Sequence, residues 1–122
     1  MSNSMELPVL DEQMWVELKD IMEDDFGLLL ETFLSDAVER LGCLGEAIDM
    51  LDAVALREAA HSFKGSCGNI GAVRLSNMAS SLERQAASID WDVAKTSLVE
   101  MQSEYLQVKQ LIQQFIQQQL PS

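Results

Sequence analysis

Proline is almost missing from this chain. Only two occur among 122 residues, Pro8 and Pro121, both near the ends, so the interior lacks the strongest helix breaker. Aromatic residues are scarce at 6%, whereas Leu, Ala, Met, Gln and Glu recur, which is the composition of an all-helical protein. Cysteine is confined to Cys43 and Cys67. Neither has metal-ligand spacing. A disulfide between them stays open on sequence alone, but two isolated thiols point to a reducing compartment. Positive charge is short, with 8 Lys and Arg against 20 Asp and Glu and a net charge of −12. Such a chain is repelled by nucleic-acid phosphate and by anionic membranes. No apolar run approaches membrane-span length, and the start Met1-Ser2-Asn3-Ser4-Met5-Glu6 lacks the basic and apolar regions of a signal peptide. The expected location is the cytoplasm.

What is present is helical periodicity. Residues 1–9 read as a loose tail, and residues 10–120 as one domain. Asp11 is placed to cap a short first helix carrying Met14, Trp15, Leu18, Ile21 and Met22. Asp24, Asp25 and Gly27 suggest a break. A long second helix is expected from Phe26 to Met50, with the stripe Phe26, Leu30, Phe33, Ala37, Leu41, Leu44, Ile48 and Leu51. Gly42 and Gly45 weaken its middle by about 1 kcal/mol each relative to alanine. Asp52 can cap a third helix ending near Asn69, with Gly71 in a left-handed turn. Leu75, Met78, Ala79, Leu82, Ala86 and Ile89 form the stripe of a fourth. Asp90 can cap a fifth, whose Ala94, Leu98, Met101, Tyr105, Val108, Ile112 and Phe115 step four and three alternately. That heptad seam fits the long helix of an antiparallel four-helix bundle, with the short first helix as an addition. A monomer is expected, although such a seam also permits dimers.

The only histidine, His61, lies on the third helix. An α-helix turns about 100° per residue, which gathers Leu56, Ala59, Ala60, Phe63, Cys67 and Ile70 on one face. His61 projects from nearly the opposite face, beside Arg57, Lys64, Gly65 and Gly68. The two glycines cost the helix on the order of 2 kcal/mol on a face away from the core. Their compensation is access, because a missing side chain lets a partner approach His61 closely. The spacing Gly65, Gly68, Gly71 is not a phosphate-cradling loop, having neither the dinucleotide-binding form nor a Walker lysine after it. Lys64 sits one turn from His61, where its charge attracts phosphoryl oxygens, and neutral imidazole is a nitrogen nucleophile. A lone histidine and lysine at this spacing are nevertheless most often an ordinary solvated pair.

The full string decides between these readings. His61-Ser62-Phe63-Lys64-Gly65-Ser66, then four residues ending in Ile70, then Gly71-Ala72, strongly resembles the signature of histidine-containing phosphotransfer domains. Leu82-Glu83 resembles the leucine–glutamate pair on that family's following helix, and the likeness runs over nearly the whole chain. The resemblance implies a phosphorelay intermediate. His61 would take a phosphoryl group, on Nε2, from the aspartate of a receiver domain, typically of a hybrid sensor kinase. It would pass the group to the aspartate of a response-regulator receiver. Lys64 would neutralise phosphoryl charge, Gly65 would leave room for the receiver, and Glu83 would orient the imidazole through Nδ1. Arg57 and Gly68 would belong to the docking surface. No cofactor or metal of the chain's own is implied, the Mg²⁺ being the receiver's. Nothing resembles an ATP site or an attached kinase or receiver, so a free-standing carrier that does not phosphorylate itself is expected.

Two other classes compete. One is an interaction module with the same bundle and no phosphorylation, against which the retention of both His61 and Lys64 speaks. The other is an enzyme using His61 as general base or metal ligand. With one histidine and no converging cysteine or carboxylate cluster in the motif, little supports it.

Overall fold

A computed structural model of the protein describes residues 6–119. The order is α1 (Glu12–Met22), α2 (Asp24–Asp49), α3 (Ala53–Asn69), α4 (Val73–Gln85), a single 3₁₀ turn (Ala86–Ser88) and α5 (Trp91–Gln119), with no strand among the described residues. Three aspartates start helices as their positions suggested. Asp11 and Asp52 each accept a backbone N–H three residues on, at 3.0 Å, and Asp90 accepts those of Asp92 and Val93, which satisfies donors that a helix N-terminus leaves open.

The helices α2 to α5 form an antiparallel bundle. On the shared core, α3 packs between α2 and α4, and α5 closes the ring against the same two helices. Phe26, Leu30, Phe33, Leu44, Ile48, Leu56, Phe63, Leu75, Leu82, Met101, Val108 and Ile112 are buried at its centre, and each lies on an apolar stripe of its helix. The short α1 packs on α2 and covers one end. Trp15, Phe26 and Phe115 meet edge to face there, with ring centroids 5.2–5.5 Å apart, a favoured aromatic geometry. The Trp15 indole N–H donates to the Ile70 carbonyl at 2.6 Å.

Several expectations are corrected. The break between α1 and α2 is a single residue, Glu23, at φ 51°. Asp24, Asp25 and Gly27 lie within α2, which begins two residues earlier than expected and runs unbroken through Gly42 and Gly45. Tertiary packing offsets the propensity cost of those glycines. Ile21 and Leu51, placed on apolar stripes, are 79% and 61% exposed. Leu51 has left the helix at φ 53°, and Ile21 lies near the end of a helix with no buried residue. The fourth helix stops at Gln85, although Ala86 is still buried and Ile89 still packs on the core.

The loose tail over 1–9 divides in two. Residues 1–5, like the last residue of the domain range 10–120, lie outside the described residues. Residues 6–9 are tied down, because the Leu7 carbonyl accepts two N–H groups of Arg74 at 2.8 and 3.0 Å and Val9 packs on the core. At the other end of this segment, the Asp11 amide donates to the Gly71 carbonyl at 2.8 Å.

Gly71 is the one glycine whose conformation the fold requires. It sits at φ 69°, and a Cβ there would lie 3.0 Å from Met14 Sδ and 3.3 Å from Asp11 Cβ. The turn it makes closes α3 with bonds from Gly71 N to Gly68 O and from Ala72 N to Cys67 O, and so fixes the angle between α3 and α4.

Candidate functional site

The core side of α3 is filled by Leu56, Ala60, Phe63 and Cys67. That burial fixes the helix's rotation and turns His61 outward, with its side chain 68% exposed. The imidazole is nevertheless held. Its Nδ1 lies 2.8 Å from Glu83 Oε2, across the groove on α4. The other oxygen of the same carboxylate accepts from Lys64 Nζ at 2.8 Å. Glu83 thus ties together the two motif residues from a neighbouring helix. The Lys64 ammonium, and after it the His61 ring, hold the Glu83 carboxyl below the usual carboxylate range. An ionised carboxylate only accepts hydrogen bonds, so the bond at 2.8 Å requires a proton on Nδ1. In the neutral ring the lone pair is then on Nε2, which has no hydrogen-bonding partner among the described residues.

The opposite flank of α3 carries a second polar network. Arg40 Nε donates to Asp36 Oδ2 at 2.6 Å, one turn apart on α2. Arg40 Nη1 also donates to Ser62 Oγ, and Ser66 Oγ donates to Asp36 Oδ2 at 2.9 Å. The guanidinium beside Asp36 pulls its carboxyl below the ordinary value, against a smaller opposing effect of burial. Ser62 and Ser66 therefore tie α3 to α2, as Lys64 and Glu83 tie it to α4. Ser76 Oγ adds a bond to the Lys64 carbonyl at 3.1 Å. The histidine stands on a helix braced from both sides.

All six residues expected at the site lie on this face or its edge. Arg57, Glu58, His61 and Glu83 line a shallow depression of about 320 Å³. Gly65 is exposed, and a Cβ there would meet nothing within 4 Å. Gly68 is exposed too, with Ser76 Oγ 3.9 Å from where its Cβ would be, an ordinary contact. Neither glycine is needed for packing inside this chain. Features missed on sequence include the Arg40 bond to Ser62, the Asp36 bond to Ser66 and the ion pair of Arg74 with Glu104. The Asp36 and Arg40 spacing of four was a usable signal. Cys43 and Cys67 are free thiols, Cys43 exposed and Cys67 buried, and burial pushes the Cys67 thiol well up.

The family model described as Hpt domain matches residues 28–118. The chain belongs to the Hpt domain family. Among solved structures it is similar to histidine-containing phosphotransfer protein B from Pseudomonas aeruginosa PAO1. The two share 38% identity over 93% of this chain and 98% of that one, with a TM-score of 0.88. No curated protein matches it. As a member of the Hpt family the chain is a histidine phosphotransfer intermediate of two-component phosphorelay signalling, a transfer module and not a kinase. Hpt domains work with receiver domains. No helix among the described residues is long and apolar enough to cross a membrane.

Proposed function

We propose that His61 is the phosphoryl-carrying residue and that its Nε2 is the nucleophile. In the forward step the lone pair of Nε2 attacks the phosphorus of a receiver's aspartyl phosphate. A P–N bond forms as the P–O bond to the aspartate breaks, and the carboxylate leaves with the electron pair. In the return step a second receiver's carboxylate attacks the same phosphorus and Nε2 leaves. No proton need move in either direction, because the ring keeps its proton on Nδ1 throughout. Glu83 accepts that N–H and offsets the positive charge that the ring gains on phosphorylation. Lys64 can turn from Glu83 toward the phosphoryl oxygens, whose charge it neutralises. Phosphoryl transfer is largely a matter of position and charge, so a braced helix bearing one oriented imidazole is sufficient equipment.

Gly65, Gly68 and Arg57 form the surface on which the receiver lands, the glycines by leaving the approach to Nε2 clear. The first receiver belongs to a hybrid sensor kinase and the second to a response regulator. Mg²⁺ is supplied by the receiver, and the carrier works as a cytoplasmic monomer with no ATP site of its own. The observation that carries this reading is the bond of Nδ1 to Glu83, which directs the basic nitrogen of an exposed histidine outward.

The test is incubation with a phosphorylated receiver. The wild-type chain should acquire an acid-labile, base-stable label and the His61→Ala variant should acquire none, with helicity preserved because the ring lies outside the core. A wild-type chain that binds receivers without ever being labelled would instead be a docking module.

A further inference from the structure

One charged pair in the bundle has no part in the chemistry at His61. Glu104 of α5 is only 4% exposed, and one of its oxygens, Oε2, is buried without a hydrogen-bond partner. The other oxygen accepts from Arg74 Nη1 at 3.4 Å. Arg74, the second residue of α4, is itself 15% exposed. Burying such a pair is a poor way to stabilise a core, since apolar side chains of similar volume serve as well or better. What the pair does achieve is a direction. With Nη1 toward Glu104, Nε and Nη2 both point at the Leu7 carbonyl, the two-pronged contact that only a guanidinium makes.

The residue held in this way is next to the phosphotransfer face. Leu7, Asp11 and Met14 line a cleft of about 390 Å³ together with Lys64, Gly68 and Ser76. Gly68 is seven residues beyond His61, which on a helix is nearly the same direction and about 10 Å further along. A protein partner covering an ordinary 800 Å² or so of this face reaches about 16 Å from its centre. A receiver centred on His61 therefore covers the cleft.

We propose that Arg74, aimed by Glu104, is a positioning residue for docking: it fixes Leu7 in the lining of the cleft beside Lys64, and the cleft takes a receiver-domain loop with an apolar side chain at its tip. Continuity with the His61 face points to the receiver as occupant. The apolar Leu7, Met14 and Val73 among charged and hydroxylic neighbours point to the chemistry of the loop. The proposal rests on the reading of His61 as the residue that receivers engage.

The test uses the full chain in three forms: wild type, the double variant Arg74→Met with Glu104→Met, and Leu7→Glu. Phosphoramidate serves as a small phosphodonor, and a phosphorylated receiver is titrated in a second assay. The double variant should stay folded, because the pair is replaced by apolar volume. Its Asp11 amide should exchange hydrogen faster. Its half-saturating receiver concentration should rise about fivefold or more, the weight of one substantial interface contact. Labelling by phosphoramidate and the transfer rate at saturating receiver should not change. Leu7→Glu keeps the backbone carbonyl that Arg74 holds, so it should raise the half-saturating concentration without loosening the segment. Two results would overturn the proposal: a loosened segment with unchanged half-saturation, or an unaffected Leu7→Glu protein. Should the double variant fail to fold, Leu7→Glu alone decides. Failure of phosphoramidate to label wild-type His61, while receivers still bind, would instead count against the reading of His61.

Discussion

Glu83 holds His61 from a different helix, its Oε2 2.8 Å from the ring Nδ1, while its Oε1 receives Lys64 at 2.8 Å. Sequence separation matters here. His61 and Lys64 are neighbours on α3, and without a third group their side chains would share solvent freely. A carboxylate on α4 settles both at once: the ring's donor is occupied and its basic nitrogen faces out. The site is in effect a property of the α3 and α4 packing, which the Gly71 turn sets.

The first prediction follows from that bond. Glu83→Ala should slow phosphoryl transfer to and from His61 by about tenfold or more, the rate equivalent of one charge-assisted hydrogen bond. Stability should fall modestly, because the part-buried Glu83 side chain, 23% exposed, ties α4 to α3 through His61 and Lys64. Glu83→Gln can still accept from Nδ1 through its amide oxygen, so it should fall between. Nitrogen chemical shifts of the imidazole provide the check that a merely structural role would not move: the Nδ1-protonated tautomer should lose population in the alanine variant and keep most of it in the glutamine variant.

A second prediction concerns Gly65. Nothing within 4 Å awaits a Cβ at this position, so Gly65→Gln should fold and should gain up to about 1 kcal/mol of stability from helix propensity. On the docking surface proposed above, the same side chain would stand in the receiver's approach, so transfer should be impaired. Thermal melts and transfer kinetics on one preparation check both halves. A stabilised protein with unimpaired transfer would remove the role given to this glycine.

How much of this was legible in the sequence depends on how local the cause was. Asp11, Asp52 and Asp90 cap helices because a short acceptor satisfies N–H groups within three residues, and that was readable. The stripes of α3 and α5 were readable for the same reason. The start of α2 was misjudged because Asp24, Asp25 and Gly27 carry turn propensity, whereas the chain breaks at Glu23, a residue with no such preference. His61, Lys64 and Gly65 could be placed on one face from helical geometry. The contact with Glu83 is 22 positions away in sequence and came only from likeness to a family. Arg74 and Glu104, on different helices, left no local pattern at all.

A third prediction addresses α1. The Trp15 indole N–H donates to the Ile70 carbonyl at 2.6 Å, at the end of α3. Trp15→Phe keeps most of the aromatic contact with Phe26 and Phe115 but removes the donor. It should destabilise the protein by about 1–3 kcal/mol, the cost of leaving a part-buried acceptor unmade together with the lost ring volume. Urea unfolding measures this. Labelling of His61 should remain at the wild-type level under conditions where the protein is folded.

The last prediction is a pH dependence with two opposite signs. Asp36 is held below its ordinary value near 3.8, chiefly by its hydrogen bond with Arg40. Its folded form therefore binds a proton less readily than the unfolded chain. The stability this contributes is present above about pH 4 and is lost as pH falls through the lowered folded value. Glu104 is raised above its ordinary value near 4.5, chiefly by burial, with Arg74 opposing. The unfolded chain then loses this proton first as pH rises. Glu104 thus contributes stability that is present below pH 4.5 and is lost as pH rises through the raised folded value. Urea melts from pH 3 to pH 8 separate the two. The advantage of wild type over Asp36→Asn should grow with rising pH across the acid range and then level off. The advantage of wild type over Glu104→Gln should shrink with rising pH and level off only above the raised value. If both differences moved in the same direction, burial would not be what governs Glu104.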